Sequence, residues 1–174
     1  GWHDRLDLID WIDKVIEEVG EDTEIVLHGV SMGAATVLMA AGEELPQQVR
    51  LIVADSGYTS VHDLFAYQAK RMFHLPSFPI IPTTSFVTDL KAGYTFKEAS
   101  ALKQVQKAEV PILYIHGESD TFVPTRMSKE LYENTKSEAE FYTFPNSNHG
   151  EAIAVHEDQY LQTLYQFLKK YKMK

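Results

Sequence analysis

Cysteine is missing from all 174 residues, which rules out disulfides, thiol nucleophiles and cysteine-ligated metals while leaving the compartment open. Long apolar runs are missing too. The longest, around Ala34 to Ala41, is far short of the ~20 residues of a membrane span. Positive charge is scarce: 16 Lys and Arg against 25 Asp and Glu give a net charge of -9, with no basic run anywhere. Nucleic acids and anionic membrane surfaces are therefore poor partners. Repeats and low-complexity tracts do not occur, and no G-x-G-x-x-G follows the first apolar segment, which removes a dinucleotide-binding reading. His3, His62 and His74 stand in no ligand spacing, so neither metal nor cofactor is implied. A soluble domain is expected, cytoplasmic in preference, with an upstream signal or anchor left open.

What remains is enough for one domain, since a chain of this length buries about 70% of the surface that it exposes when unfolded. The first residues open directly into a helix. Leu8, Ile12, Val15, Ile16 and Val19 recur on one face, with Asp4 as its cap and Gly20 as its stop. No strand precedes this face and the chain does not begin with Met, so N-terminal strands are expected upstream of Gly1. Four segments rich in branched residues follow, Glu24 to His28, Val49 to Ala54, Val110 to His116 and Glu140 to Phe144. The first three are nearly continuous apolar runs, the pattern of strands buried on both faces of a parallel sheet. Helices expected over Ser31 to Ala41, Thr125 to Thr135 and Glu157 to Tyr171 complete an α/β architecture with helices on both faces of a mostly parallel sheet.

One interval is too long. About 55 residues, Asp55 to Glu109, lie between the second and third strands, where a crossover needs only a dozen or so. The stretch carries a helical pattern, "SVHDLFAYQAKRMFHL", then the proline-spaced "PSFPIIPTTSFVTDL", and is rich in aromatics. It is expected to form a helical lid over residues 56–109 within the single domain 1–174.

The segment "EIVLHGVSMGAATVLMA" places Ser31 where an apolar strand gives way to an alanine-rich helix, between Gly29 and Gly33. A serine hydroxyl is a weak nucleophile near neutral pH and requires exposure, a base and a site for the oxyanion. A tight strand-to-helix turn supplies the exposure, and glycines two residues either side remove side chains that would collide with it. The Met32 backbone amide, at the helix start, is then an oxyanion donor. G-x-S-x-G alone arises by chance in about one chain of this size in twenty, so its partners decide. A base and an acid are expected just beyond later strands. Asp120 lies four residues after "PILYIH", and His149 follows "FYTF". Asp55, after the second strand, is the rival acid. His116 and His28 end strands beside glycines and fit buried structural roles, and His156 is expected to be exposed.

"GVSMGAAT", "ADSGYTSV", "PILYIHGESDTFVP" and "NSNHGEA" together resemble the nucleophile, post-strand, acid and histidine loops of α/β-hydrolases, in particular bacterial serine hydrolases and peptidase-like esterases. The resemblance covers the whole chain but only the later part of that fold. It implies a nucleophile Ser31, a general base His149, an orienting acid Asp120 and an oxyanion donor at Met32, with no cofactor. The loop that carries the family's second oxyanion donor has no counterpart after Gly1. The implied activity is hydrolysis of a carboxylic ester, thioester or amide through an acyl-enzyme, on a small-molecule ester or a short peptide. A non-catalytic binding protein on the same fold, or a peptidase of the same superfamily, is the alternative. The expected partners are the substrate and, at an open sheet edge, a second copy or the N-terminal segment.

Overall fold

The computed structural model describes residues 1–173. It opens on helix α1 (Asp4–Val19), where Ile12 and Ile16 are buried one turn apart, while Val15 and Val19 face solvent beside Trp11. The buried stripe is therefore narrower than the apolar periodicity suggests. The cap position belongs to His3, which makes no side-chain bond there. Asp4 is the first helical residue, and Gly20 ends the helix at φ 112°.

Strands β1 (Ile25–Val30), β2 (Val49–Asp55), β3 (Ile112–Gly117) and β4 (Ala139–Phe144) form one sheet in the order β1-β2-β3-β4. All three pairings are parallel. The central strands β2 and β3 are buried along nearly their whole length, as continuous apolar runs require. β1 departs from that expectation. Among the described residues it pairs with one strand only, and His28 and Val30 on it are exposed.

Alternation along the central strands divides the core in two. Ile52, Ala54, Ile112 and Tyr114 face one side, covered by α1, α2 (Met32–Ala40), α5 (Ala101–Val105) and α6 (Thr125–Glu133). Leu51, Val53, Leu113 and Ile115 face the other, covered by α7 (Ala152–Val155) and α8 (Glu157–Lys170) through Ala152, Tyr160 and Phe167. Phe167 is 1% exposed, so truncation to Ala should cost about 3–5 kcal/mol.

The long interval between β2 and β3 holds α3 (Val61–Phe73), α4 (Ser77–Ala92) and α5. The proline-spaced stretch is helical despite its prolines. Backbone angles break at Phe78, and Pro79 and Pro82 fall within one turn of the restart, where few ladder donors are lost. Ala69, Ile81 and Phe96 give this region a small core of its own. Among the described residues no helix is long and apolar enough to cross a membrane.

Candidate active site

Parallel strands bring the loops that follow them to one edge of the sheet, and clefts in open α/β sheets form at that edge. Register aligns Val30 with Asp55, Asp55 with Ile115 and Gly117 with Phe144. The residues just beyond β1, β2, β3 and β4 therefore converge.

Ser31 stands between β1 and α2 at φ 56° and ψ -112°, a backbone conformation that a side chain rarely adopts. Its amide donates to the Asp55 carbonyl at 2.8 Å. A side chain at Gly29 would place Cβ 2.3 Å from the Gly33 backbone, so no other residue fits. Gly33 differs from expectation: a Cβ there would meet nothing within 4 Å. Its backbone is the surface that Gly29 packs against, and its own vacant side points into open space. Met32 opens α2, so its N–H is among the first-turn donors that the helix leaves unpaired.

His149 follows β4 and bridges two of the expected residues. Ser31 Oγ donates to its Nε2 at 2.7 Å, and its Nδ1 donates to Asp120 Oδ2 at 2.8 Å. The other carboxylate oxygen, Oδ1, accepts the amides of Phe122 and Val123, both at 2.8 Å. Burial pushes the Asp120 carboxyl up, but bonds from His116, His149 and the Val123 amide outweigh it and hold the group well below the usual carboxylate range. The carboxyl is thereby kept ionised beside His149. Gly117 allows this meeting of loops, because a Cβ there would lie 2.3 Å from the Ser147 carbonyl. Next to it, the Ser119 amide donates to that same carbonyl at 3.0 Å.

The rival acid lies elsewhere. Asp55 accepts from Ser56 Oγ at 2.8 Å and from Tyr160 Oη at 3.1 Å, with no bond to His149. Its carboxyl is raised above the ordinary value, chiefly by burial. It touches the site indirectly, since Ser56 Oγ accepts the Gly150 amide at 3.2 Å, next to His149.

Three histidines need restating. His116 is fully buried as expected, but its Nε2 donates to Asp120 Oδ2 at 3.0 Å and lies 2.9 Å from the Val123 carbonyl, while its Nδ1 bonds Ser128 Oγ at 2.6 Å. It is a second histidine on the candidate acid, which the sequence reading missed. The H-x-x-x-D spacing from a strand end was the available signal. His28 is bonded to Tyr160 Oη at 3.1 Å but exposed, because β1 is an edge of the sheet. His156 is half-buried and bonds the Pro145 carbonyl at 2.7 Å.

The interposed helices lean on this site. From α3, Tyr67 Oη donates to the Thr121 carbonyl at 3.1 Å, Gln68 Nε2 to the Phe122 carbonyl, and Arg71 Nη2 to Thr121 Oγ1 at 3.0 Å. Phe122 packs against the His149 ring at 5.0 Å between centroids. A cavity of about 460 Å³ opens at Ser31 and Met32, walled by Tyr58, Phe65, Phe96 and Phe122.

Known proteins resemble this chain along most of its length. YqkD of Bacillus subtilis (strain 168) is 29% identical over 168 residues, which is 97% of this chain and 55% of that protein. YfhR of Escherichia coli (strain K12) is 26% identical over 145 residues, 83% of this chain and 45% of that one. The chain thus spans about half the length of these curated relatives. Among solved structures, an acylaminoacyl peptidase of Pyrococcus horikoshii superposes with a TM-score of 0.76 at 17% identity, over 98% of this chain and 28% of its own. The esterase Pf2001 of Pyrococcus furiosus does so with a TM-score of 0.71 at 24% identity, over 95% of this chain and 61% of its own. These likenesses make the fold that of part of an α/β-hydrolase. The model of the prolyl oligopeptidase family matches residues 2–174, and the chain belongs to that family.

Proposed function

We propose that this chain carries the nucleophile, base and acid of a serine hydrolase that cleaves carboxylic esters through an acyl-enzyme. The carrying observation is the continuous chain of hydrogen bonds from Ser31 Oγ through His149 to Asp120 Oδ2. As Ser31 Oγ attacks the carbonyl carbon, His149 Nε2 takes its proton and the Met32 N–H meets the developing oxyanion. His149 then protonates the departing alcohol, leaving the acyl group on Ser31. Water, deprotonated by the same nitrogen, attacks the acyl carbonyl and releases the carboxylic acid. Asp120 holds the His149 tautomer and offsets the charge of its imidazolium. The helices over residues 56–109 act as a lid.

A peptide substrate is the second reading, favoured by the family match. A binding protein is disfavoured by the retention of Ser31, Asp120 and His149 in bonding contact. A second oxyanion donor is proposed to come from upstream of Gly1. The outer edge of β1, unpaired among the described residues, is proposed to take a further strand from that segment or from a second copy. Turnover of p-nitrophenyl acetate by the full-length protein tests the reading. Ser31→Ala should lower it by about a millionfold, and retention of a tenth of the activity would overturn it.

A further inference from the structure

Beside the cavity at Ser31 lies a second one, of about 510 Å³, held between α3 and α4. The two share Leu64, Phe65, Thr84 and Phe122 as common walls. Its remaining lining includes Ala69, Met72, Phe73, Leu75, Ile80 and Ile81, and no charged side chain. Of the two polar residues in the lining, Thr84 is engaged through its hydroxyl and Gln68 through its amide nitrogen alone. Thr84 Oγ1 donates to the Ile80 carbonyl of its own helix at 2.9 Å. Gln68 directs Nε2 to the Phe122 carbonyl, while its Oε1 is buried without a hydrogen-bond partner. Volume and lining are those of a ligand pocket, but one with no charged side chain and a single buried acceptor, so the desolvation of a charged or strongly polar group would go largely uncompensated. Met72 and Phe73 at its mouth remain 54% and 64% exposed.

We infer that this chamber receives the alkyl chain of an ester whose carbonyl is held at Ser31, so that the preferred substrates are uncharged esters with a medium-length hydrocarbon chain. The inference rests on the hydrolase reading above and adds to it the class of substrate. Of the shared walls, Phe122 also packs against the His149 ring, 5.0 Å between centroids. A chain passing it leaves the reactive carbonyl beside the base. A short acyl group fills the Ser31 cavity alone and forgoes the burial.

Two substrate series measured on the full-length protein test this and separate the acyl from the alcohol side: p-nitrophenyl esters from acetate to octanoate, and alkyl acetates from ethyl to octyl. In at least one series kcat/KM should climb with length, by up to about fourfold for each methylene buried. Ala69→Phe, which fills the chamber, and Met72→Asp, which charges its mouth, should each reduce the ratio of long-chain to short-chain kcat/KM in that series at least tenfold. The ratio, unlike total activity, does not respond to partial loss of folded protein. Flat or falling series, with Ser31 still labelled by a fluorophosphonate, would overturn the chamber assignment and leave the hydrolase reading intact. That is also the outcome if another segment of a longer chain fills the chamber. A rising series whose ratio neither variant alters would overturn it as well, because the chain would then bind elsewhere. No labelling and no turnover would overturn both.

Discussion

Two buried aspartates stand at the ends of neighbouring central strands and behave oppositely. Asp55 closes β2 among hydroxyl groups, Ser56 Oγ and Tyr160 Oη, and burial raises its carboxyl above the ordinary range. Asp120, in the loop after β3, is likewise buried, yet two histidines and the Val123 amide hold its carboxyl well below that range. Both side chains are shut away from solvent. The difference lies in the donors: cationic or cation-forming partners and amides favour the charge that burial opposes, whereas two hydroxyls do not fully offset it. A carboxylate that must steady an imidazolium has to be the second kind of group.

The comparison is broken most forcefully by removing each charge in turn. Asp120→Asn should lower ester turnover by about 10,000-fold, because the amide favours the wrong His149 tautomer, while Asp55→Asn should stay within about tenfold of the parent. Initial-rate assays on folded variants, checked by circular dichroism, read the difference. Smaller effects should follow one step further out. His116→Gln removes a donor from Asp120 Oδ2 and should cost about 10- to 100-fold in kcat, as the loss of a buried bond to a charged group does. Tyr160→Phe, which removes the matching donor from Asp55, should cost less than fivefold in the same assay.

The glycines of the turn offer a sharper structural contrast. Gly29→Ala forces Cβ against the Gly33 backbone at 2.3 Å and should destabilise by about 1–3 kcal/mol or more. Gly33→Ala enters open space and should change the denaturation midpoint little, on the order of 0.5 kcal/mol.

The smallest effects are in pH dependence, and their signs differ. The depressed Asp120 carboxyl contributes stability above the ordinary value of 3.8 and loses it as pH falls below that value toward its folded one. The raised Asp55 carboxyl instead carries a cost at neutral pH that is relieved as pH falls through its folded value toward 3.8. Relative to the parent, Asp120→Asn should therefore gain ground below about pH 4, and Asp55→Asn should lose its advantage on acidification. Urea midpoints between pH 7 and pH 3 resolve the two trends.

Much of this was legible in the chain because the informative residues are local. Gly29 and Ser31 mark a turn whose geometry excludes a side chain, and the segments Val110 to His116 and Glu140 to Phe144 each announced a strand whose following loop carries Asp120 or His149. The period-two alternation of β2 and β3 cannot be read from continuous apolar runs, which show only that both faces are covered. What stayed hidden depends on contacts distant in sequence. His116 looks like any strand-end histidine until α6 brings Ser128 to one of its nitrogens and the acid loop folds back on the other. The exposure of His28 follows from β1 having one neighbour among the described residues. Gly33 reads like Gly29 because the motif is symmetric, but the turn is not. Helix α4 was obscured by prolines whose harm depends on where the helix starts.

Labelling by a fluorophosphonate, compared in the parent, Asp55→Asn and Asp120→Asn proteins with the adduct mapped by mass spectrometry, tests the central claim most directly. The account predicts one adduct, on Ser31, formed at a similar rate in the parent and Asp55→Asn and at a rate lower by orders of magnitude in Asp120→Asn. An adduct on another residue, or a folded Asp55→Asn protein that labels more slowly than Asp120→Asn, would contradict it.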